Sequence, residues 1–152
     1  MARRKPAKDG PKKPLHLVKL CVGVESLEQF QTWAEGRLES LHAAGEREQL
    51  FHVTRMTPKR AEEVVGNSLY WVIKGHIQCR QQVIAIEPFQ DTDGVRRCRL
   101  VFDNAIVPTE WRRKKAFQGW RYFKGRPPPD LPHGQEGLPP ALHRELAELG
   151  LL

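Results

Sequence analysis

The hydrophobic pattern changes period several times along this chain, and each change marks an element. From Leu69 onward, Leu69, Trp71 and Ile73 alternate with Tyr70, Val72 and Lys74, so both faces carry an aromatic and neither is purely polar. Such a strand belongs inside a sheet covered on both sides, or in a closed barrel. The apolar run stops at Gly75 and resumes from Val83 to Ile86 after a short polar interval, which predicts a hairpin turning at or near the glycine.

Upstream, Leu15 to Val24 sets Leu15, Leu17 and Lys19 against His16, Val18, Leu20 and Val22, a strand that Gly23 helps to end. Ser26 and Gln29 have capping-box spacing, and Leu27, Phe30, Ala34, Leu38 and Leu41 recur at helical intervals. They predict a helix from Leu27 to Ala44, stopped by Gly45. Leu50 to Met56 reads as another strand, and Thr57-Pro58 as the N-cap and first position of a short helix running to Val65. Turn chemistry at Gln90 to Gly94 precedes a strand in which Arg97, Arg99 and Val101 alternate with Cys98, Leu100 and Phe102. The connections Ile73 to Ile77 and Ile86 to Arg96 are too short for parallel crossovers, so these later strands run antiparallel. The pattern therefore predicts one α+β domain over residues 15–126, with two helices, Leu27 to Ala44 and Pro58 to Val65, packed on a mixed, mainly antiparallel sheet that curls toward a barrel.

Composition sharpens this where charge is concerned. The 152 residues carry a formal +7, but residues 1–13 hold a local +5 and residues 108–126 a local +6, leaving −4 over the rest. Two basic patches on a near-neutral body favour a polyanionic partner. Residues 1–14, rich in Lys, Arg and Pro, read as a flexible basic arm, and residues 127–152 as a Pro-rich linker ending in a short helix through Leu142, Leu146 and Leu149. No stretch approaches 18 uncharged apolar residues and no hydrophobic signal follows the basic start, so a soluble cytoplasmic protein without membrane contact is expected. Cys21, Cys79 and Cys98 each lie in or beside an apolar run, as buried free thiols do in a reducing compartment.

The densest chemical signal is the interleaving of Arg112, Arg113, Lys114, Lys115, Arg121, Lys124 and Arg126 with Trp111, Phe117, Trp120, Tyr122 and Phe123. Phosphates take guanidinium and ammonium groups and unstacked bases take aromatic faces, which is the mixture single-stranded nucleic acid requires. Against this, strand alternation would bury some of Trp120, Tyr122 and Phe123 as core. Arg55, Lys59 and Arg60 surround the expected start of the short helix, where backbone amides favour anions, while Glu62 and Glu63 can balance them. Lys74, His76 and Arg80 flank the central turn.

RNA binding through these residues is the leading expectation, with the arm and the 112–126 segment on phosphates and Arg55, Lys59, Lys74 and Arg80 lining the domain's own site. An enzyme acting on a phosphorylated or nucleotide ligand would instead gather His52, Arg55 and Arg80 around a pocket. A third possibility is an interaction module that docks through Pro127 to Leu152. No phosphate loop, zinc spacing or nucleophile elbow occurs, and His76 and Cys79 would point to opposite faces of a strand, so no metal or cofactor is expected.

Four ordered motifs carry a family resemblance: Leu15-His-Leu-Val-Lys-Leu-Cys-Val-Gly23, His52-Val-Thr-Arg-Met-Thr-Pro-Lys-Arg60, Ser68-Leu-Tyr-Trp-Val-Ile-Lys-Gly75 with Arg80, and Phe117-Gln-Gly-Trp-Arg-Tyr122. Together they resemble a family of small bacterial proteins, domain of unknown function 1489, which implies no particular activity. The run from Gly75 to Arg80 also resembles the ASCH and PUA-like pseudo-barrels, RNA-binding folds in which a glycine turn feeds a strand with a basic residue. Ile77, Gln78 and Cys79 stand where ASCH domains usually carry acidic and lysine positions, so this second resemblance implies architecture only.

Overall fold

A computed structural model describes residues 13–132. The expected basic arm falls almost wholly outside the described residues, as does the terminal helix through Leu142, Leu146 and Leu149. The element order is β1 (Leu17–Leu20), α1 (Leu27–Ala43), β2 (Phe51–Thr54), α2 (Ala61–Val64), β3 (Ser68–Ile73), β4 (His76–Gln90), β5 (Arg96–Phe102), β6 (Val107–Arg113) and β7 (Trp120–Tyr122). The fold is α+β. Its seven strands form one mixed sheet in the order β2-β5-β4-β3-β1-β7, with β6 on β4, and every pairing is antiparallel except β1 with β3.

Every residue of β3 is buried, as its two-sided pattern requires. One face, with Leu17, Leu69, Trp71, Ile73, Cys79, Val83, Cys98, Leu100 and Phe102, is covered by Leu27 and Phe30 of α1 and Val64 of α2. The other face buries Val18, Tyr70, Val72 and Ile77 beneath Phe117 and Phe123. Helix α1 starts where Ser26 Oγ accepts the Gln29 amide at 3.0 Å, and Gln29 Oε1 answers by accepting the Glu25 amide at 2.6 Å, one residue earlier than in the usual box. Its buried side is Leu27, Phe30, Ala34 and Leu41, with Leu38 of the predicted stripe only half-buried.

The β3–β4 connection is the two-residue turn Lys74-Gly75, closed by the pair Ile73 and His76, with both residues at positive φ, 51° and 80°. Beyond it β4 is one continuous strand where the sequence shows two apolar runs. Gln78 and Gln81, which interrupt the hydrophobic pattern, are both buried: the Gln78 amide donates to the Ile73 carbonyl at 2.8 Å across a bulge, and Gln81 accepts the Trp71 indole N–H at 2.9 Å. All three cysteines are buried free thiols.

Two expectations need correction. The short helix is the single turn α2, capped by Arg60 without a side-chain bond, and Thr57 and Pro58 lie in the loop before it. Nor does the sheet close into a pseudo-barrel. The edge strands β2 and β7 share no pairing, although the β2 exit and β7 come close enough for Trp120 Nε1 to donate to the Met56 carbonyl at 2.8 Å and for the Arg60 amide to donate to Tyr122 Oη at 3.0 Å. Residues after Arg126 stay on the body: the Glu110 amide donates to the Pro129 carbonyl at 2.9 Å, the Leu131 amide donates to the Pro108 carbonyl at 3.0 Å, and Leu131 is buried. No helix among the described residues is long and apolar enough to cross a membrane.

Candidate functional site

Pairing of β4 with β6 sets His76 opposite Arg113 and Ile77 opposite Arg112, and the Lys114 amide donates to the Gly75 carbonyl at 2.9 Å. A turn and a strand end forty residues apart in sequence thereby bring Lys74 and His76 beside Arg112, Arg113, Lys114 and Lys115. Arg121 joins from β7, where it pairs with Val18: its guanidinium lies 4.8 Å from the Phe117 ring centroid, and Lys114 Nζ lies 5.6 Å from the same ring. Phe117 packs on the Val18, Tyr70, Val72 and Ile77 cluster, so one core-anchored ring holds two cations at the surface. Arg112 donates to the Arg126 carbonyl. Among the described residues, Arg112, Arg113, Lys114, Lys115, Arg121, Lys124 and Arg126 have no carboxylate oxygen within 4.0 Å. Lys74 has Glu25 at 3.7 Å, with both side chains mostly in water.

The remaining sequence-predicted residues lie elsewhere. Arg55, Lys59 and Arg60 follow β2, and Arg60 is occupied: it pairs with Glu63 at 2.7 Å and stacks on the Tyr122 ring. Arg80 lies on the Tyr70 face and spends its fork on Asp130, at 2.8 and 2.7 Å, beneath Pro127 to Pro129. Trp120 turns inward against the α1-covered core, as does Tyr122, while Phe123 packs edge-on to Tyr70 with centroids 5.1 Å apart. All five aromatics of this segment are partly buried, and Trp111 lies 5.2 Å from the His76 ring.

The α1-covered face holds a second arrangement. Between α1, the Cys21–Val24 loop and β2 lies a cavity of about 740 Å³, with Phe30, Trp71, Gln81 and Phe102 inside and Glu28 and Trp33 at the rim. His52 lines it, set edge-on to Trp71 at 5.6 Å and 89°, and its ring nitrogens have no hydrogen-bond partner among the described residues. Burial first, and the Lys19 charge second, push its pKa down to about 4, so at neutral pH the imidazole is neutral. Cys21 lines the same cavity, and burial pushes its thiol up to about 12, which favours the protonated form.

Lys19 stands two residues before Cys21 on the same face, between its cross-strand neighbours Trp71 and Trp120, and is 8% exposed. No carboxylate lies within 4.0 Å of it among the described residues, and burial lowers its pKa. His52, Arg55 and Arg80 do not converge: His52 lines this cavity and Arg80 belongs to the opposite face. Sequence reasoning placed Lys19 on the correct face but gave it no role. The available signal was a lysine at an apolar position of an otherwise alternating strand. Among the described residues no cluster of three or more His, Cys, Asp or Glu could hold a metal.

Comparison with curated proteins gives no match, and neither does comparison with solved structures. The model of one family, described as protein of unknown function (DUF1489), matches residues 17–152, which takes in every strand, both helices and both surfaces described above. The chain belongs to the DUF1489 family.

Proposed function

We propose that the chain binds single-stranded RNA as a polyanion, on the surface where the Lys74-Gly75 turn meets the end of β6. The observation that carries this reading is the gathering of Lys74, Arg112, Arg113 and Lys114 at one end of the sheet, with Arg121 sharing the Phe117 ring with Lys114, and almost no acidic compensation. Like charges held together cost free energy unless a counter-charge comes from outside, and a phosphate backbone supplies one at regular spacing. The aromatics favour a backbone-gripping mode over base recognition. Trp120 and Tyr122 pack inward, Phe123 is on Tyr70 and Phe117 already carries two cations, leaving Trp111 as the available stacking surface.

The test is fluorescence anisotropy of the full chain with a labelled oligouridylate over a salt series. Binding should weaken with salt, with a log-log slope of about −0.7 per phosphate neutralised. Changing Arg113, Lys114 and Lys115 together to Ala should reduce that slope by about two, whereas changing Arg55 and Lys59 should leave it near its starting value. Absence of binding at low salt, or equal effects of the two variants, overturns the reading.

A further inference from the structure

We infer that the cavity under α1 is a binding site for an uncharged aromatic molecule with fused rings, which lies among Phe30, Trp71 and Phe102 and donates one hydrogen bond to His52. It belongs to the α1-covered face, away from the cluster that Phe117 covers, and rests on no part of the RNA reading.

The rings that line the cavity are the leading observation. Phe30, His52 and Phe102 each stand edge-on to Trp71, with centroids 5.5, 5.6 and 5.8 Å from it, and Trp33 lies nearly parallel to Phe30, at 9° and 6.1 Å. Aromatic surface therefore runs from buried Trp71 and Phe102 out to the mouth, where Trp33 is 52% exposed beside Val22 at 78%. Rings gain from edge-to-face and offset contacts beyond the area they bury, so this lining favours an aromatic body over a saturated one of equal size. A volume of about 740 Å³ is within the range of small-molecule sites and holds a fused-ring molecule.

The polar groups set the ligand's charge. Among the lining residues Glu28 alone carries a formal charge, and it is exposed on α1; Lys19 does not line the cavity. Burial holds Cys21 as a thiol and His52 as a neutral imidazole, so the interior carries no charge at neutral pH. An ion of either sign would give up water there without gaining a partner. Gln81 is engaged at both ends, accepting the Trp71 indole N–H at 2.9 Å and donating to the Asp103 carbonyl at 3.3 Å, whereas the His52 ring nitrogens have no partner among the described residues. A neutral imidazole keeps one nitrogen as an acceptor, which suits a ligand O–H or N–H.

The test titrates the full chain at neutral pH with naphthol, its anionic and cationic counterparts naphthoate and naphthylmethylamine, its saturated counterpart decalol, and naphthalene. Backbone and indole resonances are followed by NMR. Naphthol should bind saturably, about tenfold tighter than either ion and about tenfold tighter than decalol, with shifts centred on Cys21, His52 and Trp71. This comparison needs no variant. His52→Phe keeps a ring against Trp71 and removes the acceptor, so the ratio of naphthol to naphthalene affinity should fall about fivefold. Trp33→Ala, at an exposed position, should weaken naphthol and naphthalene alike. No saturable binding of naphthol overturns the inference. So does an ion or decalol that binds as tightly as naphthol, a set of shifts centred away from the cavity, or a His52→Phe protein with an unchanged ratio.

Discussion

Arg80 and Asp130 meet through two parallel contacts, Nε to Oδ1 at 2.8 Å and Nη2 to Oδ2 at 2.7 Å, fifty residues apart in sequence. A planar guanidinium matched to a carboxylate is the strong form of an ion pair, and Arg80 Nη1 also donates to Ser68 Oγ at 3.0 Å. The pair fastens residues after Pro127 to β4, and it engages the basic residue of the central hairpin with a carboxylate of the same chain.

Replacing Asp130 with Ala should therefore loosen that segment more than it destabilises the domain. The pair is partly exposed, so the expected cost is about 1 kcal/mol. The amides of Glu110 and Leu131, which donate to the Pro129 and Pro108 carbonyls, should exchange with solvent measurably faster, while those of β3 keep their protection. Unchanged exchange at both amides would show that the backbone bridge holds without the ion pair.

Stability should fall as pH falls from about 6.5 toward 4. Burial, and then the Lys19 charge, hold native His52 down at about 4, whereas the unfolded chain takes up the proton near 6.5. Between those values the unfolded state binds more protons, so acid favours unfolding, and the contribution is complete above pH 6.5. His16 acts in the same direction. Its pKa is lowered by burial and then by Arg80, and its Nδ1 accepts the Ser68 amide at 3.0 Å, a bond lost on protonation. Urea unfolding at pH 7 and pH 4.5 should differ by on the order of 2 kcal/mol, and His52→Gln should flatten the dependence.

The Lys74-Gly75 turn links stability to the proposed interface. A lysine at φ 51° carries the left-handed cost of about 1 kcal/mol that asparagine largely avoids, so Lys74→Asn should raise the melting temperature slightly. The same change removes a cation from the basic surface and should lower the RNA salt slope by about 0.7. Gly75→Ala keeps the charge and meets no atom within 4 Å, yet φ 80° should cost it about 1 kcal/mol. Opposite movements of stability and binding in Lys74→Asn would mark the strain as tolerated for charge placement. A parallel loss of both would assign Lys74 a structural role instead.

What could be read in the sequence, and what could not, follows from range. Helix α1, β1, β3 and both hairpin turns were legible because capping, alternation and glycine turns act over a few residues. The strand from Ile77 to Ile86 was legible as well, but the burial of Gln78 and Gln81 was not, because only the fold brings the Ile73 carbonyl and the Trp71 indole to them. The short strands β6 and β7 were hidden in a segment whose charge drew attention first, and their pairing is with β4 and β1, far away in sequence. The family was legible from four spaced motifs. The covering of Lys19 was not, since its neighbours Trp71 and Trp120 come from β3 and β7, far away in sequence.

Trp120 separates a structural from a binding role for the aromatic segment. Its indole donates to the Met56 carbonyl at 2.8 Å, and with Tyr122 Oη, which accepts the Arg60 amide at 3.0 Å, it spans the gap between the unpaired edges β2 and β7. Trp120→Phe keeps an aromatic ring and removes the donor. Met56 is exposed, so water can take over at its carbonyl, and the loss should be limited to about 1 kcal/mol. The Arg60 amide should exchange faster as the loop before α2 relaxes, and oligouridylate affinity should stay within about twofold, because Trp120 faces the covered core. A large loss of affinity at unchanged melting temperature would mean that the indole reaches the nucleic acid, and that the curled edge opens when it binds.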